Sequence, residues 1–136
     1  MSFLNRVRGT FDAATRKSQD VIEINKLNHQ IKKLEDEADG LYLSIGQKVY
    51  RDPSMLKQET KNHVDVQVHA LERLHRQIHE AKRKALILKD LVECNACHKI
   101  VAVDIAFCPD CGNHIADLVK QTMKFLALEE QHKQSE

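Results

Sequence analysis

The fold of this chain depends on two short runs of sequence, Cys94-Asn95-Ala96-Cys97 and Cys108-Pro109-Asp110-Cys111-Gly112. All four cysteines of the 136-residue chain lie in them, as two Cys-x-x-Cys pairs separated by ten residues. Two residues between the cysteines of a pair allow both sulfur atoms to point at one centre, and two such turns facing each other provide the four thiolates of a structural zinc site. The sequence therefore predicts one structural zinc ion held by Cys94, Cys97, Cys108 and Cys111.

Iron is the competing metal, because Cys-Pro-x-Cys-Gly also occurs in rubredoxin-like sites. Here, however, His98 and not glycine follows the first pair, and only 4% of the residues are aromatic, too few for the packing that such iron domains use. A closed shell of four protein ligands leaves no position for water or substrate. We therefore expect a zinc site without catalysis, in a protein that is not an enzyme.

The composition favours extended helices over a thick globular core. Charged residues make up 30% of the chain, which has two prolines, four glycines and no tryptophan. The net charge of +1 excludes strong electrostatic attraction of the whole chain to nucleic acid or membrane. We find neither an apolar run of about 18 residues nor a secretory signal, and so expect a cytoplasmic protein whose cysteines bind metal and form no disulfides.

Two stretches carry apolar residues in steps of three and four, the pattern of a coiled-coil seam. The first comprises Ile24, Leu27, Ile31, Leu34, Ala38, Leu41 and Ile45. The second comprises Leu71, Leu74, Ile78, Ala81, Ala85, Leu88 and Val92, and its register carried backwards gives Val64, Gln67 and Thr60. Asp52-Pro53 predicts the turn between them, with Asp52 as helix cap and the second helix from about residue 53 to about residue 92. The expected arrangement is an antiparallel helical hairpin.

The remaining residues complete a mainly α fold. Residues 98–107, rich in β-branched side chains, predict a tight two-stranded ribbon between the cysteine pairs. An amphipathic helix follows to about Glu129, with a frayed tail over 131–136. The predicted divisions are a hairpin stalk (1–92), a zinc ribbon (93–113) and a C-terminal helix with tail (114–136). The ribbon is too small to fold unaided, so the metal is expected to provide most of its stability.

Apolar residues outside the seams suggest partners. Tyr42, Leu43, Val49 and Tyr50 widen the apolar face of the first helix, which predicts that a third helix or a second chain covers it. Residues 115–128 present a further apolar face, so we expect a homo-oligomer. The amphipathic segment 2–14 either packs on the protein's own helices, the reading we favour, or anchors the chain at a membrane surface.

Two other patterns resemble functional sites. Glu72-x-x-His75 and Glu129-x-x-His132 are half of a di-iron carboxylate motif, and a helical bundle with a Cys-x-x-Cys head resembles rubrerythrin, a di-iron peroxidase. His75 and His79 also share one helix face. With Leu71 and Leu74 in the seam, however, Glu72 is expected to point outward. Lys82-Arg83-Lys84 could contact nucleic acid, but acidic residues on the first helix make a solvated mixed-charge face the better interpretation.

Over residues 1–112 the chain resembles bacterial proteins with an N-terminal coiled coil and a C-terminal zinc ribbon ending in Cys-Pro-x-Cys-Gly. The opening Met-Ser-Phe-Leu and the basic amphipathic segment after it are also similar to that group. The resemblance implies that the four cysteines are zinc ligands and that the protein is an adaptor or chaperone-like partner of other proteins. The chain differs at His98, where glycine is common, and continues for 24 residues beyond Gly112, where many members stop.

Overall fold

The computed structural model describes the backbone of residues 3–135 and the side chains of residues 15–132, 134 and 135. This part of the chain is mainly helical, with three α-helices and one two-stranded sheet. The elements are α1 (Phe3–Arg51), α2 (Gln58–Leu88), β1 (Leu91–Glu93), β2 (Ile100–Ala102) and α3 (Ile115–Gln134). The prediction of a mainly helical chain with a small sheet and a C-terminal helix is confirmed.

The predictions for segment 2–14, packing on the protein's own helices or anchoring at a membrane surface, concern side chains that lie outside the described residues. Its backbone belongs to α1 from Phe3 onward, and the helix continues through Gly40 without interruption. Among the described residues, no helix combines the length and the apolar character needed to cross a membrane.

One compact unit comprises Leu27–Lys82 and contains most of the two predicted seams. Every seam position in this unit is buried or half-buried, whereas most of their neighbours are exposed. The buried members are Leu27, Ile31, Ala38, Leu71, Ile78 and Ala81. The predicted position of Tyr42, Leu43, Val49 and Tyr50 outside the seam is also confirmed, because all four side chains are exposed.

Three contacts join α1 and α2 within this unit. Lys82 Nζ lies 2.7 Å from Glu35 Oε1. Tyr42 Oη and His75 Nε2 are hydrogen-bonded at 2.6 Å, and Gln67 Nε2 donates to Ser44 Oγ at 2.6 Å. Along these three contacts, the residue number in α1 increases from 35 to 44 while the residue number in α2 decreases from 82 to 67.

Gln67 is a polar residue at a seam position. Its Oε1 is buried and has no hydrogen-bond partner among the described atoms, although its Nε2 donates to Ser44. A buried acceptor without a partner destabilises the fold, because it has lost water and gained nothing in exchange. Gln67 is thus an unfavourable seam position between α1 and α2.

The turn between α1 and α2 is longer than the sequence predicts. The second helix starts at Gln58 and not near residue 53, because Met55 takes a left-handed conformation (φ 50°) that ends any helix beginning at Pro53. Asp52 is therefore not the predicted cap at the start of a helix. Instead its carboxylate accepts a hydrogen bond from the backbone N–H of Lys57 at 3.1 Å and closes the turn.

The end of α2 also differs from the prediction, which placed it near residue 92. The helix ends at Leu88, and Asp90 takes a left-handed conformation (φ 56°), a position that Asp tolerates better than most residues. Val92 is buried at 5% exposure, but as a strand residue in β1. Because Val92 is apolar and has the spacing of the seam, the sequence pattern extends to it, although it lies beyond the end of α2.

The sheet pairs strands on either side of the first cysteine pair. β1 and β2 are antiparallel, with Val92 opposite Val101, whereas the sequence placed the whole ribbon between the two cysteine pairs. Residues 103 and 104 form a turn instead of continuing the strand. The predicted strand positions Val103 and Ile105 are half-buried against the core described next.

A second compact unit combines the residues up to Lys26 with those from Arg83 onward. We call its residues 91–119 the head. The buried core of the head comprises Val92, Cys94, Val101, Cys108 and Ile115, with Val103, Ile105, Leu118 and Val119 packed against it. The first turn of α3 is therefore part of the head, and Ile115 is completely buried. The helix runs to Gln134, past the predicted end near Glu129.

Candidate metal centre

The two cysteine pairs lie in turns with the same backbone hydrogen bonds. We call residues 94–99 the first knuckle and residues 108–113 the second knuckle. In the first, Cys94 N donates to Lys99 O and His98 N to Cys94 O, each at 2.8 Å. In the second, the equivalent bonds run from Cys108 N to Asn113 O at 2.8 Å and from Gly112 N to Cys108 O at 2.9 Å. The knuckles therefore present their sulfur atoms in the same way.

His98 and Gly112 occupy equivalent positions in the two knuckles. Both have a left-handed backbone, with φ of 63° for His98 and 75° for Gly112. Only glycine adopts this conformation without a steric penalty. The His98 side chain is hydrogen-bonded to Glu93 through Nδ1 and Oε1 at 2.9 Å. His98, which stands where glycine is common, thus has a strained backbone, and its side chain is held by the contact with Glu93.

The knuckles bring the four predicted cysteines together. Their Sγ atoms all lie within 4.8 Å of one another, with Cys94–Cys111 and Cys97–Cys108 each at 3.6 Å. Four sulfurs at about 2.3 Å from a tetrahedral zinc ion would be about 3.8 Å apart, so this set fits such an ion with small adjustments. The four cysteines could therefore hold a metal ion. Their assignment as zinc ligands stays a prediction.

The first cysteine of each knuckle is buried and receives two backbone N–H groups. The N–H groups of Cys97 and Ala96 lower the pKa of Cys94 to about 6. Those of Cys111 and Asp110 lower the pKa of Cys108 in the same way. Hydrogen bonds to a thiolate favour its charged form. The backbone therefore favours the thiolate form of both cysteines, which is the form that binds metals.

The second cysteine of each knuckle is more exposed and less easily ionised. The backbone N–H of Lys99 acts to lower the pKa of Cys97, but desolvation and the neighbouring Cys108 thiol raise it overall. The N–H of Asn113 opposes the same effects at Cys111, whose pKa rises to about 12. Four thiolates cannot crowd together without a cation, since each repels the next. This repulsion is what a bound divalent metal would remove.

Two side-chain contacts that the sequence analysis missed connect the knuckles. Lys99 Nζ donates to Asp110 Oδ1 at 2.8 Å, and this bond and the Asp110 charge raise the pKa of Lys99. Asn113 donates from Nδ2 to Asn95 Oδ1. The sequence contains one signal for these contacts, because Lys99 and Asn113 each follow the first cysteine of their knuckle by five residues and so occupy equivalent positions.

The residues suggested for other sites have ordinary structural partners. Glu72 is exposed, as expected, and pairs with His69 at 3.2 Å, while His75 is bonded to Tyr42. Within the described residues, the four cysteines are the only group of three or more His, Cys, Asp or Glu side chains placed to share a metal.

Both lysines of the basic stretch Lys82-Arg83-Lys84 contact acidic side chains. Lys82 pairs with Glu35, and Lys84 Nζ lies 3.6 Å from Glu23 Oε1 and 3.9 Å from Glu130 Oε1. These contacts favour the interpretation of a solvated mixed-charge face.

No protein-family model matches this chain, and neither does any curated protein or solved structure. The resemblance to bacterial coiled-coil proteins with a zinc ribbon therefore stays a hypothesis drawn from the motifs.

Proposed function

We propose that this chain is a non-catalytic, zinc-binding interaction protein of the adaptor type. The observation that carries the proposal is the convergence of four thiols, two with lowered pKa, on one centre inside a head with a small core. A head with so few buried residues needs a metal to fold, and zinc suits a closed set of four thiolates. The zinc ion would supply folding stability.

We further propose that α1 and α2 form an antiparallel coiled-coil hairpin that serves as a docking surface. The seam burial and the opposite numbering of the α1 and α2 partners within Leu27–Lys82 support this arrangement. Exposed apolar side chains flank the seam, including Leu43 at 65% and Tyr50 at 86% exposure. Contiguous apolar patches on a protein surface commonly mark interaction sites, and we propose that these side chains belong to one.

A metal assay tests the first part of the proposal. The purified full chain should contain one zinc per chain, and cobalt replacing it should give the absorption of a tetrahedral tetrathiolate. Cys94→Ser with Cys108→Ser should lose the metal, whereas His75→Ala with His79→Ala should retain it. Iron in place of zinc, or equal metal content in both double variants, would contradict the assignment.

Affinity capture from the native cell tests the second part. A genuine partner should be captured by the full chain and lost on Leu43→Ser with Tyr50→Ser, while zinc content stays unchanged. Sedimentation of the same proteins reports self-association, which we expect to weaken in that variant. Tight binding to nucleic acid that falls steeply with added salt would instead favour a nucleic-acid regulator.

A further inference from the structure

Lys99 connects the first knuckle to the second on one side of the sulfur cluster. Its backbone carbonyl accepts the N–H of Cys94, and its Nζ reaches Asp110, which lies between Cys108 and Cys111. Electrostatic interaction with Cys108 and Cys97 also contributes to the raised pKa of Lys99, after the larger effect of Asp110. Lys99 and Asp110 are each two residues from a cysteine of the Cys97–Cys108 pair, whose sulfurs are 3.6 Å apart, so their bond joins the knuckles beside this edge of the cluster.

Asn113 makes the equivalent connection on the other side. Its backbone carbonyl accepts the N–H of Cys108, and its side-chain amide donates to Asn95, which lies between Cys94 and Cys97. The same amide nitrogen is 3.7 Å from Cys94 Sγ, and that sulfur is 3.6 Å from Cys111 Sγ. Asn113 is therefore located at the Cys94–Cys111 edge.

The two edges share no sulfur atom and are thus opposite edges of the tetrahedron. Each is bridged by a residue that leaves one knuckle and bonds to a residue inside the other. The two bonds are not chemically equivalent, because one is an ion pair and the other joins two neutral amides. A tetrathiolate with one divalent metal carries a charge of about −2, so the positive charge of Lys99 is favourable there and the negative charge of Asp110 is not.

We propose that Lys99 and Asn113 are positioning residues for the metal, which hold the knuckles at the ligand distance, and that Lys99 also offsets the negative charge of the site. This inference rests on the metal binding put forward under the proposed function. Neither residue is a ligand. Groups in this outer position orient the ligands and commonly change metal affinity by about tenfold or more.

Zinc affinity of the full chain, measured by competition with a chromophoric chelator, separates geometry from charge. Lys99→Met leaves the Asp110 carboxylate beside the thiolates and should weaken binding by about tenfold. Asp110→Asn removes the negative charge but keeps an oxygen that accepts the Lys99 hydrogen bond, so affinity should be unchanged or higher. Lys99→Arg should restore most of the affinity. Equal losses in Lys99→Met and Asp110→Asn would overturn the charge role of Lys99.

Salt gives a second readout that a purely structural role would not change. Both Lys99 and Asp110 side chains are about half exposed, so their electrostatic effects are screened by ions. The affinity difference between wild type and Lys99→Met should shrink from 0.05 M to about 1 M salt, where the screening length is about 3 Å. A difference that does not change with salt would also overturn the charge role.

Asn113 is tested with two substitutions of different chemistry. Asn113→Ala removes the amide and should weaken zinc binding several-fold, independently of salt. Asn113→Asp keeps the shape but places a carboxylate near the Cys94 sulfur, and should weaken it further, with a loss that salt reduces. Lys120→Met, on the exposed surface of α3, is the matched control and should bind zinc like wild type. Wild-type affinity in both Lys99→Met and Asn113→Ala would overturn the proposal.

Saturation with zinc separates this inference from the function it rests on. If the wild type takes up one zinc and the variants bind it equally well, only the positioning roles fail. If the wild type takes up none, the metal site itself is wrong and the inference falls with it. Helical circular dichroism of each variant checks that α1 and α2 are intact.

Discussion

At the scale of single residues, the two knuckles differ at their left-handed position, which is histidine in the first and glycine in the second. His98 adopts a conformation that costs a non-glycine residue about 1 kcal/mol or more, whereas Gly112 adopts it freely. His98→Gly is therefore expected to stabilise the metal-loaded head by about 1 kcal/mol, reduced by the loss of the exposed bond to Glu93. Thermal unfolding of the zinc-loaded protein measures the change.

Gly112→Ala provides the reciprocal test. A Cβ atom at Gly112 would meet nothing within 4 Å, so the cost is purely conformational and should be about 1 kcal/mol. Gly46→Ala, inside α1 near its C-terminal end and with open space around it, is the control and should be neutral or stabilising. Destabilisation by His98→Gly equal to that by Gly112→Ala would show that the Glu93 contact outweighs the strain.

The thiols themselves predict how metal binding depends on pH. Cys97 and Cys111 have raised pKa values and are protonated near pH 7 in the metal-free protein, whereas the pKa of Cys94 is about 6. Zinc binding at pH 7 should therefore release about two protons or more, and affinity should rise with pH. It should fall more steeply below pH 6, where Cys94 also binds a proton. Calorimetry in buffers of different ionisation enthalpy counts the protons, and no release would contradict the pKa order.

At the scale of helices and strands, the sequence predicted the elements that have a regular spacing of apolar residues. The steps of three and four located α1 and α2 because those residues are buried on one face of each helix. The same rule failed at Val92, which lies in a strand and is buried in the head core and not in the α1–α2 seam. Left-handed Met55 and Asp90 end the helix pattern, and single-residue backbone conformations of this kind leave no periodic signal.

The cysteine cluster was predictable because ligand spacing is local, whereas its surroundings were not. Lys99 and Asp110 are eleven residues apart, and Asn113 and Asn95 eighteen, so their contacts depend on how the knuckles face each other. The role of α3 was missed for the same reason. Its apolar positions predicted a helix, but the surface that they cover lies on distant strands.

Gln67 gives a prediction at the level of the α1–α2 contact. Gln67→Leu should raise the free energy of unfolding of Leu27–Lys82 by about 1 kcal/mol, because it removes a buried acceptor without a partner and adds apolar area to the seam. Ser44→Ala should lower stability, since it takes away the hydrogen-bond partner of the Gln67 amide. Urea unfolding followed by helical circular dichroism measures both, and a destabilising leucine would show that the amide specifies the pairing.

Ile115 gives the corresponding prediction for α3. Because the side chain is fully buried in the head, Ile115→Ala should destabilise the metal-loaded head by about 3 kcal/mol. Met123→Ala on the same helix, at 52% exposure, should change stability by less than about 0.5 kcal/mol. Thermal unfolding of the zinc-loaded proteins compares them. Equal stability of the two variants would show that α3 is not part of the head core.

At the scale of the whole molecule, the described residues form two units that are stabilised by different interactions. One unit, Leu27–Lys82, is held by a long apolar seam, and the head by a small core around four cysteines. Removal of the metal should therefore affect them unequally. A chelator is expected to unfold the head while α1 and α2 persist, with loss of at most the α3 share, about one fifth, of the helical signal.

Limited proteolysis and circular dichroism with and without chelator test this expectation. Cleavage should begin within the head, between β1 and α3, and added zinc should restore both protection and the lost helical signal. Loss of the entire helical signal in one step would instead show that α1 and α2 also depend on the metal.

The insertion of Ile115 into the head core has a consequence for regulation. It anchors one end of α3, while Met123, Phe125 and Leu128 farther along the same helix remain exposed. A ligand that binds those outer turns would bind a helix whose first turn is held by the head core. If the four cysteines hold a metal, as we propose, its removal is expected to weaken binding at these turns, which begin about two helical turns beyond Ile115.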